Sequence, residues 1–417
     1  MYENIIGYPE TTAHLRGLLR RAEFPQALLL AGEPHSGKCT IALETARALT
    51  CGAKTAEWGC GCAACEQHRR LEHSHVLHLG SSSYLEEIQG AIAALRREVS
   101  TGTRYLFGRS IRKLLNRFHP VMWEGDEKRI SAAMPTIEKL QEQLPEIFPD
   151  LSAADGSKVK DDDILRKAEA LLKSAEALIE KMPNELLNAD AIRRMNYWVH
   201  VAASKGPKVI ILEHVETFND SQRNLLLKTL EEPPANVYFI LTTSRHSAIL
   251  PTILSRVRVI RLEARPVQQQ LKVLERVFRL PAQQITGEHP LRWYFRRCMC
   301  ENLDALMRAA ERWAKHLIGY EGGFEGIPEE DLPVITETTG AAQRNAGVML
   351  LRLIVEALQD IFRKIQLDGA GQAVDIKYLV RFRRVVSEID QATRSIADFN
   401  MNAVQVLESL WFHDGKQ

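Results

Sequence analysis

Hydrophobic positions along the chain switch between short unbroken runs and helical stripes. Ala27-Leu28-Leu29-Leu30-Ala31 is apolar without a break, as a strand covered on both faces is, and it gives way to Gly32-Glu33-Pro34-His35-Ser36-Gly37. A helix is expected from Lys38 to Leu49, where Ile41, Leu43, Ala46 and Leu49 fall on a stripe. The same grammar returns downstream. Lys208 to Leu212 and Val237 to Leu241 read as further buried strands, with a helix over Asp220 to Leu230 between them, started by Asp or Ser and stopped by Pro233-Pro234. Such alternation predicts an α/β fold with a parallel sheet and helices on both faces.

From about residue 86 to 186 the texture changes. Ile137 to Met182 is rich in Leu, Glu, Lys and Ala at near-helical spacing, broken by Pro145, Pro149 and the polar turn Ala153-Ala154-Asp155-Gly156-Ser157. This block reads as an inserted helical hairpin. From Arg265 onward the pattern is helical, and a break around Gly319 to Pro333 marks a domain boundary.

Composition adds limits. The 417 residues carry 54 Lys plus Arg against 53 Asp plus Glu, a formal charge of +1, which excludes a histone-like or tail-type nucleic-acid binder. No run of 18 apolar residues occurs and the start of the chain lacks the pattern of a secretory signal, so a cytoplasmic protein without membrane contact is expected. Of 7 cysteines, Cys51, Cys60, Cys62 and Cys65 crowd one short segment. In a reducing compartment that favours a metal over disulfides.

Gly32-x-x-x-x-Gly37-Lys38, after a strand and before a helix, has the spacing and context of a phosphate-binding loop. Glycines let backbone N–H groups wrap phosphate oxygens, the helix start adds a favourable dipole, and Lys38 reaches the outer phosphates. The plain alternative is a glycine turn that binds nothing. Where the pattern wants Ser or Thr to ligate Mg²⁺, Cys39 offers a soft thiol, and Thr40 comes one position late. The strand at Val209 to Leu212 should end in Asp-Glu, to hold magnesium and orient a water, yet it ends in Glu213-His214. His214, expected largely neutral near pH 7, is no substitute for a carboxylate. ATP held with Mg²⁺ but hydrolysed poorly is the physical expectation.

Cys51, Cys60, Cys62 and Cys65, with Gly59 and Gly61 interleaved, fit a closed tetrahedral structural Zn²⁺ module over about residues 51–75. His68, His73 and His75 lie near enough to replace a thiol. Four buried reduced cysteines are the alternative, weakened by the polar, glycine-containing segment. Cys298 and Cys300, on a helical stretch without a second pair, read as core residues, and Cys39 is left outside the metal set.

Taken in order, these segments resemble one family. The phosphate loop, the cysteine module, Lys208-Val209-Ile210-Ile211-Leu212-Glu213-His214, Asn224-Leu225-Leu226-Leu227-Lys228-Thr229-Leu230-Glu231-Glu232-Pro233-Pro234, Phe239-Ile240-Leu241-Thr242-Thr243-Ser244 and Ile249-Leu250-Pro251-Thr252-Ile253-Leu254-Ser255-Arg256-Val257 are similar to bacterial clamp-loader AAA+ subunits. The likeness covers residues 1 to about 85 and 187 to about 265, the latter opening with Asn188-Ala189-Asp190-Ala191-Ile192-Arg193-Arg194. It implies an AAA+ domain over 1–264, a helical lid over 265–325 and a helical collar over 326–417 for oligomerisation, in which Val348-Met349-Leu350-Leu351-Leu353-Ile354 would pack on sister helices.

The family also implies roles. Gly32, Gly37, Lys38, Cys39, Thr40 and Glu213 would surround nucleotide, Thr243 would sense the γ-phosphate, and Arg256 would reach a neighbouring subunit's ATP as an arginine finger. Val257 stands where the family usually has Cys. The Glu-His ending points to a non-hydrolysing stator beside gamma/tau and delta subunits, acting on a sliding clamp and primed DNA. A hydrolysing gamma/tau-type motor, with Glu213 and Thr40 rescuing magnesium, is the alternative, and a zinc-bearing AAA+ protein of unrelated repair function is a third reading. The family does not explain Arg104-Tyr105-Leu106-Phe107-Gly108-Arg109-Ser110-Ile111-Arg112-Lys113, which is either a single-strand contact surface or an amphipathic helix carrying its charges outward.

Overall fold

A computed structural model describes residues 1–80, 84–149, 160–182, 188–201, 206–285, 289–300, 302–319, 340–368, 376–397 and 401–412, with residues 326–328, 331, 336 and 399 between them. The polar turn expected at 153–157 and most of the break expected at 319–333 lie outside the described residues. The chain divides into two compact units, Met1–Cys298 and Met299–Gln417.

The first unit opens with α1 (Pro9–Arg20), β1 (Ala27–Ala31), α2 (Lys38–Thr50), α3 (Ala63–Arg70) and β2 (Val76–Leu79). Helices α4 (Tyr84–Arg97), α5 (Thr101–Asn116), α6 (Pro120–Trp123), α7 (Met134–Gln143), α8 (Asp161–Glu180) and α9 (Ala189–His200) follow. Then come β3 (Lys208–Leu212), α10 (Asp220–Glu231), β4 (Val237–Thr243), α11 (Pro251–Leu254), β5 (Arg258–Arg261), α12 (Val267–Phe278) and α13 (Pro290–Met299). The strands form one sheet in the order β2-β3-β4-β1-β5, and every pairing is parallel. Helix α10 is capped not by the expected Asp or Ser but by the residue before them: Asn219 accepts from the Gln222 N–H while the Gln222 side chain accepts from the Asn219 N–H.

Alternation along the strands splits the core into two faces. Leu29, Leu77, Leu79, Ile210, Leu212, Phe239 and Leu241 point one way, into a cluster continuous with Ile88, Ile92, Phe107, Ile111, Leu140 and Leu171. The inserted helical block is therefore no appendage, because its apolar faces complete the core on one side of the sheet. Leu28, Leu30, Val209, Ile211 and Ile240 point the other way, against Ile41, Ala42 and Ala46 of α2 and Leu15 and Leu18 of α1.

The second unit comprises α14 (Leu303–Ile318), α15 (Gly340–Asp368), α16 (Ile376–Ala397) and α17 (Ala403–Phe412). Trp313 and Trp411 meet edge to face at 4.6 Å, and His316 lies flat on Trp411 at 4.0 Å. Leu350, Leu351, Leu353 and Ile354 are all buried within this unit. Much of the apolar helix face expected to meet sister subunits is thus consumed inside the chain. The expected lid over 265–325 is also divided, since α12 and α13 fall in the first unit and α14, packed on α15, in the second.

Phe107 is fully buried between the inserted block and the sheet. Phe107→Ala is expected to cost about 3–5 kcal/mol. Urea denaturation should show the midpoint of the whole first unit move down; loss confined to the inserted helices, with the sheet unaffected, would contradict the shared core.

Candidate functional site

The loop between β1 and α2 bends where its residues allow. Gly37 has φ +88°, and a Cβ there would lie 2.9 Å from the Arg265 guanidinium; at Gly32 a Cβ would lie 2.9 Å from the Leu262 carbonyl oxygen. Lys38 Nζ donates to the carbonyls of Gly32 and Glu33, at 2.6 Å each. Burial lowers the Lys38 ammonium to about 8 against the pull of Glu216 and Glu213, so it stays mostly charged at neutral pH. The Gly32 N–H donates to the Thr243 carbonyl at 3.1 Å, which sets the end of β4 beside the loop. Thr40 is exposed on α2 and makes no part of this arrangement. His35 lies over Phe295 of α13, ring centroids 4.8 Å apart.

Sheet alternation builds the next group. His78 pairs in register with Ile211 and so shares its face with Val209, Ile211 and Glu213, the face that packs on α2. The first turn of α2 supplies Cys39. The Cys39 thiol donates to Glu213 Oε1 at 3.4 Å, His78 Nε2 lies 2.5 Å from the same oxygen, and Cys39 Sγ and His78 Nε2 are 3.8 Å apart. Burial would raise the Glu213 carboxyl, but His78 and then Lys113 hold it well below the usual range. Burial, reinforced by Glu213, pushes the Cys39 thiol up, so it remains protonated. Magnesium wants near-octahedral oxygen ligands. A thiol and an imidazole around one carboxylate do not fit it.

His214 does not take a carboxylate's place at the strand end. It adopts φ +54° and turns to Glu216, 3.4 Å away, whose hydrogen bond raises the imidazole above its ordinary value in spite of burial. A largely neutral His214 is the expectation from sequence; the pairing with Glu216 is what the sequence does not reveal. Glu216 Oε1 also accepts from the Ser244 N–H at 2.9 Å.

The four sulfurs of Cys51, Cys60, Cys62 and Cys65 lie within 4.8 Å of one another, with Cys51 3.8 Å from Cys60 and 4.0 Å from Cys62. Thiolates on a tetrahedral zinc, with Zn–S bonds of about 2.3 Å, sit about 3.8 Å apart. The cluster could therefore hold a metal such as zinc. Burial opposes ionisation of Cys62, but the N–H groups of Cys65 and Ala53 bring its thiol down to about 6. Arg47 binds the loop to α2: it pairs with Glu44 through two hydrogen bonds of 2.6 and 2.9 Å, donates to the carbonyls of Glu57 and Ala56, and reaches Cys65 Sγ at 3.1 Å. His68 is engaged with Thr50 at 2.6 Å and His73 lies tilted against His68, so neither joins the four clustered sulfurs.

Arg256 follows α11 on the surface. Its guanidinium donates to the Thr252 carbonyl at 2.7 Å, to Ser255 Oγ at 3.1 Å and to Glu231 Oε1 at 2.6 Å. The basic stretch in α5 resolves otherwise. Arg104 donates to the carbonyls of Ile147 and Phe148, Arg109 to those of His68 and Arg69, Arg112 pairs with Glu72, and Lys113 with Glu87 at 2.7 Å. These cations tie α5 to α3, α4 and the loop after α7, which accounts for them without a nucleic acid.

A family described as DNA polymerase III, delta subunit matches residues 149–266. A DNA polymerase III subunit delta' from Haemophilus influenzae is 26% identical over 204 residues, 46% of this chain and 56% of that protein. The delta' subunit of Yersinia pestis is 46% identical over 55 residues, 13% of this chain and 16% of the relative. The chain's recognised likeness is to DNA polymerase III delta-prime. A tau subunit from Salmonella typhimurium is also similar, 40% identical over 80 residues, 19% of this chain and 12% of that protein. The matched region spans little more than half the length of the first of these relatives.

The family match takes in Glu213, Thr243 and Arg256 and does not reach back to the glycine loop or the cysteine cluster. Sequence reasoning misses His78 and Arg47. A histidine interrupting Val76-Leu77-His78-Leu79 is the available signal for the first; Arg47, one cation in a helix stripe, gives none.

Two outcomes are expected. Cys62→Ala should lower metal content by one equivalent per chain on elemental analysis and reduce the thermal midpoint, whereas unchanged metal would remove the cysteine cluster as a ligand set. Burial, with Arg292, Lys38 and Arg296 nearby, lowers His35 from 6.5 to about 4 even though Glu86 lies 3.6 Å away. The unfolded ring takes up its proton first, so stability should fall as pH drops from about 6.5 to 4. His35→Gln should flatten that part of a pH–stability profile; an unchanged slope would place its origin elsewhere.

Proposed function

We propose that this chain is a delta-prime-like subunit of the DNA polymerase III clamp loader, a stator that acts on ATP held by its neighbour. The reading is supported by two features: beside the glycine loop Glu213 is bonded to Cys39 and His78, groups unsuited to magnesium, and Arg256 lies near the surface, paired with Glu231. A subunit so built has little means of cleaving its own nucleotide. It retains the means to stabilise charge on another's.

In this reading Arg256 places its guanidinium against the phosphoryl group in transfer at a gamma/tau site, adding positive charge where negative charge spreads in the transition state. In the chain alone the guanidinium is bonded to Glu231, Thr252 and Ser255, and in this reading it exchanges the Glu231 carboxylate for the neighbour's phosphate. Lys38 and the backbone N–H groups of Gly32 to Gly37 are the groups that would hold nucleotide phosphates in this chain, with Thr243 beside them, and such nucleotide would serve as a fixed part of the structure. Magnesium enters no step here. The four cysteines carry structural zinc, the second unit joins the chain to gamma/tau and delta through surface other than the buried Leu350, Leu351, Leu353 and Ile354, and the assembly loads a sliding clamp onto primed DNA. Similarity to tau over 80 residues keeps a hydrolysing motor as the second reading.

The test is the DNA- and clamp-stimulated ATPase of a reconstituted loader containing the full chain. Arg256→Ala should lower turnover by about a hundredfold or more at the site it faces, given that such arginines contribute on the order of 10³ or more. Lys38→Ala should leave turnover nearly unchanged. Comparable losses from both substitutions would establish the motor reading instead.

A further inference from the structure

Cys39, His78 and Glu213 have no positive role in a stator. They come from separate elements, the first turn of α2, the middle of β2 and the end of β3, and their ligand atoms lie within 4.8 Å of one another. His78 is 6% exposed and Glu213 also 6%. As a hydrogen-bonded group alone the set is incomplete: Glu213 Oε1 takes both partners, and His78 Nδ1 is buried with none. The imidazole turns Nε2 to the thiol and the carboxylate and leaves Nδ1 free on the other side of the ring, so three ligand atoms converge while the ring can carry its proton away from them.

We propose that these three residues form a second transition-metal site, of the zinc class, at the position where phosphate-binding loops ordinarily place magnesium. One thiolate, one imidazole and one carboxylate are the ligand types zinc takes. Soft sulfur selects it against magnesium, which accepts hard oxygen ligands. Binding displaces the Cys39 proton to solvent as the S–H bond breaks and the metal–sulfur bond forms; the proton that Nε2 of His78 shares with Glu213 leaves that nitrogen and is carried by the free Nδ1 in the other tautomer, and the deprotonated sulfur with the Glu213 carboxylate neutralises the dication. Three protein ligands leave a fourth position for water or for a phosphate oxygen held by the loop. The nearby cations are already engaged, Lys113 with Glu87 and Lys38 with the loop carbonyls.

The cysteine cluster is a separate site of different composition, so the two can be counted apart. Zinc titration of the purified full chain, with elemental analysis after exhaustive dialysis, is expected to give two equivalents. Cys39→Ser, which keeps the size of the side chain, and His78→Asn should each give one, and Cys60→Ser with Cys62→Ser should also give one. Because a buried substitution can disturb folding, cobalt loading of the unaltered chain supplies an independent reading. The second cobalt equivalent should show thiolate charge transfer weaker than the four-cysteine site and d–d bands at higher energy. One equivalent in the unaltered chain, two retained in folded Cys39→Ser, or a single four-thiolate cobalt spectrum would each overturn the proposal. None of these outcomes depends on the stator reading, since the metal count moves independently of the ATPase of the loader.

Discussion

A carboxylate removed from water at the end of a parallel strand has to be matched by charge or hydrogen bonds, and Glu213 sets that requirement for the first unit. Its strand cannot release it, since Lys208 to Leu212 are buried from end to end. The match comes from both sides: His78 from the adjacent strand, and Cys39 from the helix that follows the glycine loop. The loop, the sheet edge and α2 are thereby drawn to one point.

This convergence divides the labour between interior and surface. Inside, a thiol and an imidazole engage the carboxylate, and Lys38 directs its donors to the loop carbonyls. Outside, Arg256 is braced by Glu231, Thr252 and Ser255. The inserted helices contribute by burial, completing one face of the core, and by α5, whose cations are engaged with α3, α4 and the segment after α7. Arg47 does for the cysteine loop what Cys39 does for Glu213, linking a local cluster to the helix α2 that carries both residues.

Much of the fold is legible in local pattern because unbroken apolar runs such as Leu28-Leu29-Leu30 and Val209-Ile210-Ile211 leave few alternatives to a buried parallel strand. Val76 to Leu79 is not, because four residues with a histidine among them carry too little periodicity, and the pairing that makes them a strand is with β3, more than a hundred residues away. The four cysteines are legible from spacing, their closeness in space being largely a matter of one short loop. The Cys39, His78 and Glu213 group is half legible: residues 39 and 213 stand out as departures from the expected magnesium ligands, but the residue joining them lies on the strand that local pattern misses. Likewise, only tertiary contacts show that α5 is occupied internally and that Leu350, Leu351, Leu353 and Ile354 turn inward.

If Cys39, His78 and Glu213 occupy the magnesium position, the phosphate loop of this chain has to be insensitive to that ion. Calorimetric titration of the isolated full chain with ATP, in the presence and absence of Mg²⁺, reads this property without any partner subunit. Magnesium is predicted to leave nucleotide affinity unchanged, within about twofold, or a fraction of 1 kcal/mol. Tightening by about tenfold or more on adding magnesium would show that Glu213 still recruits the ion, and would contradict the arrangement described for the loop.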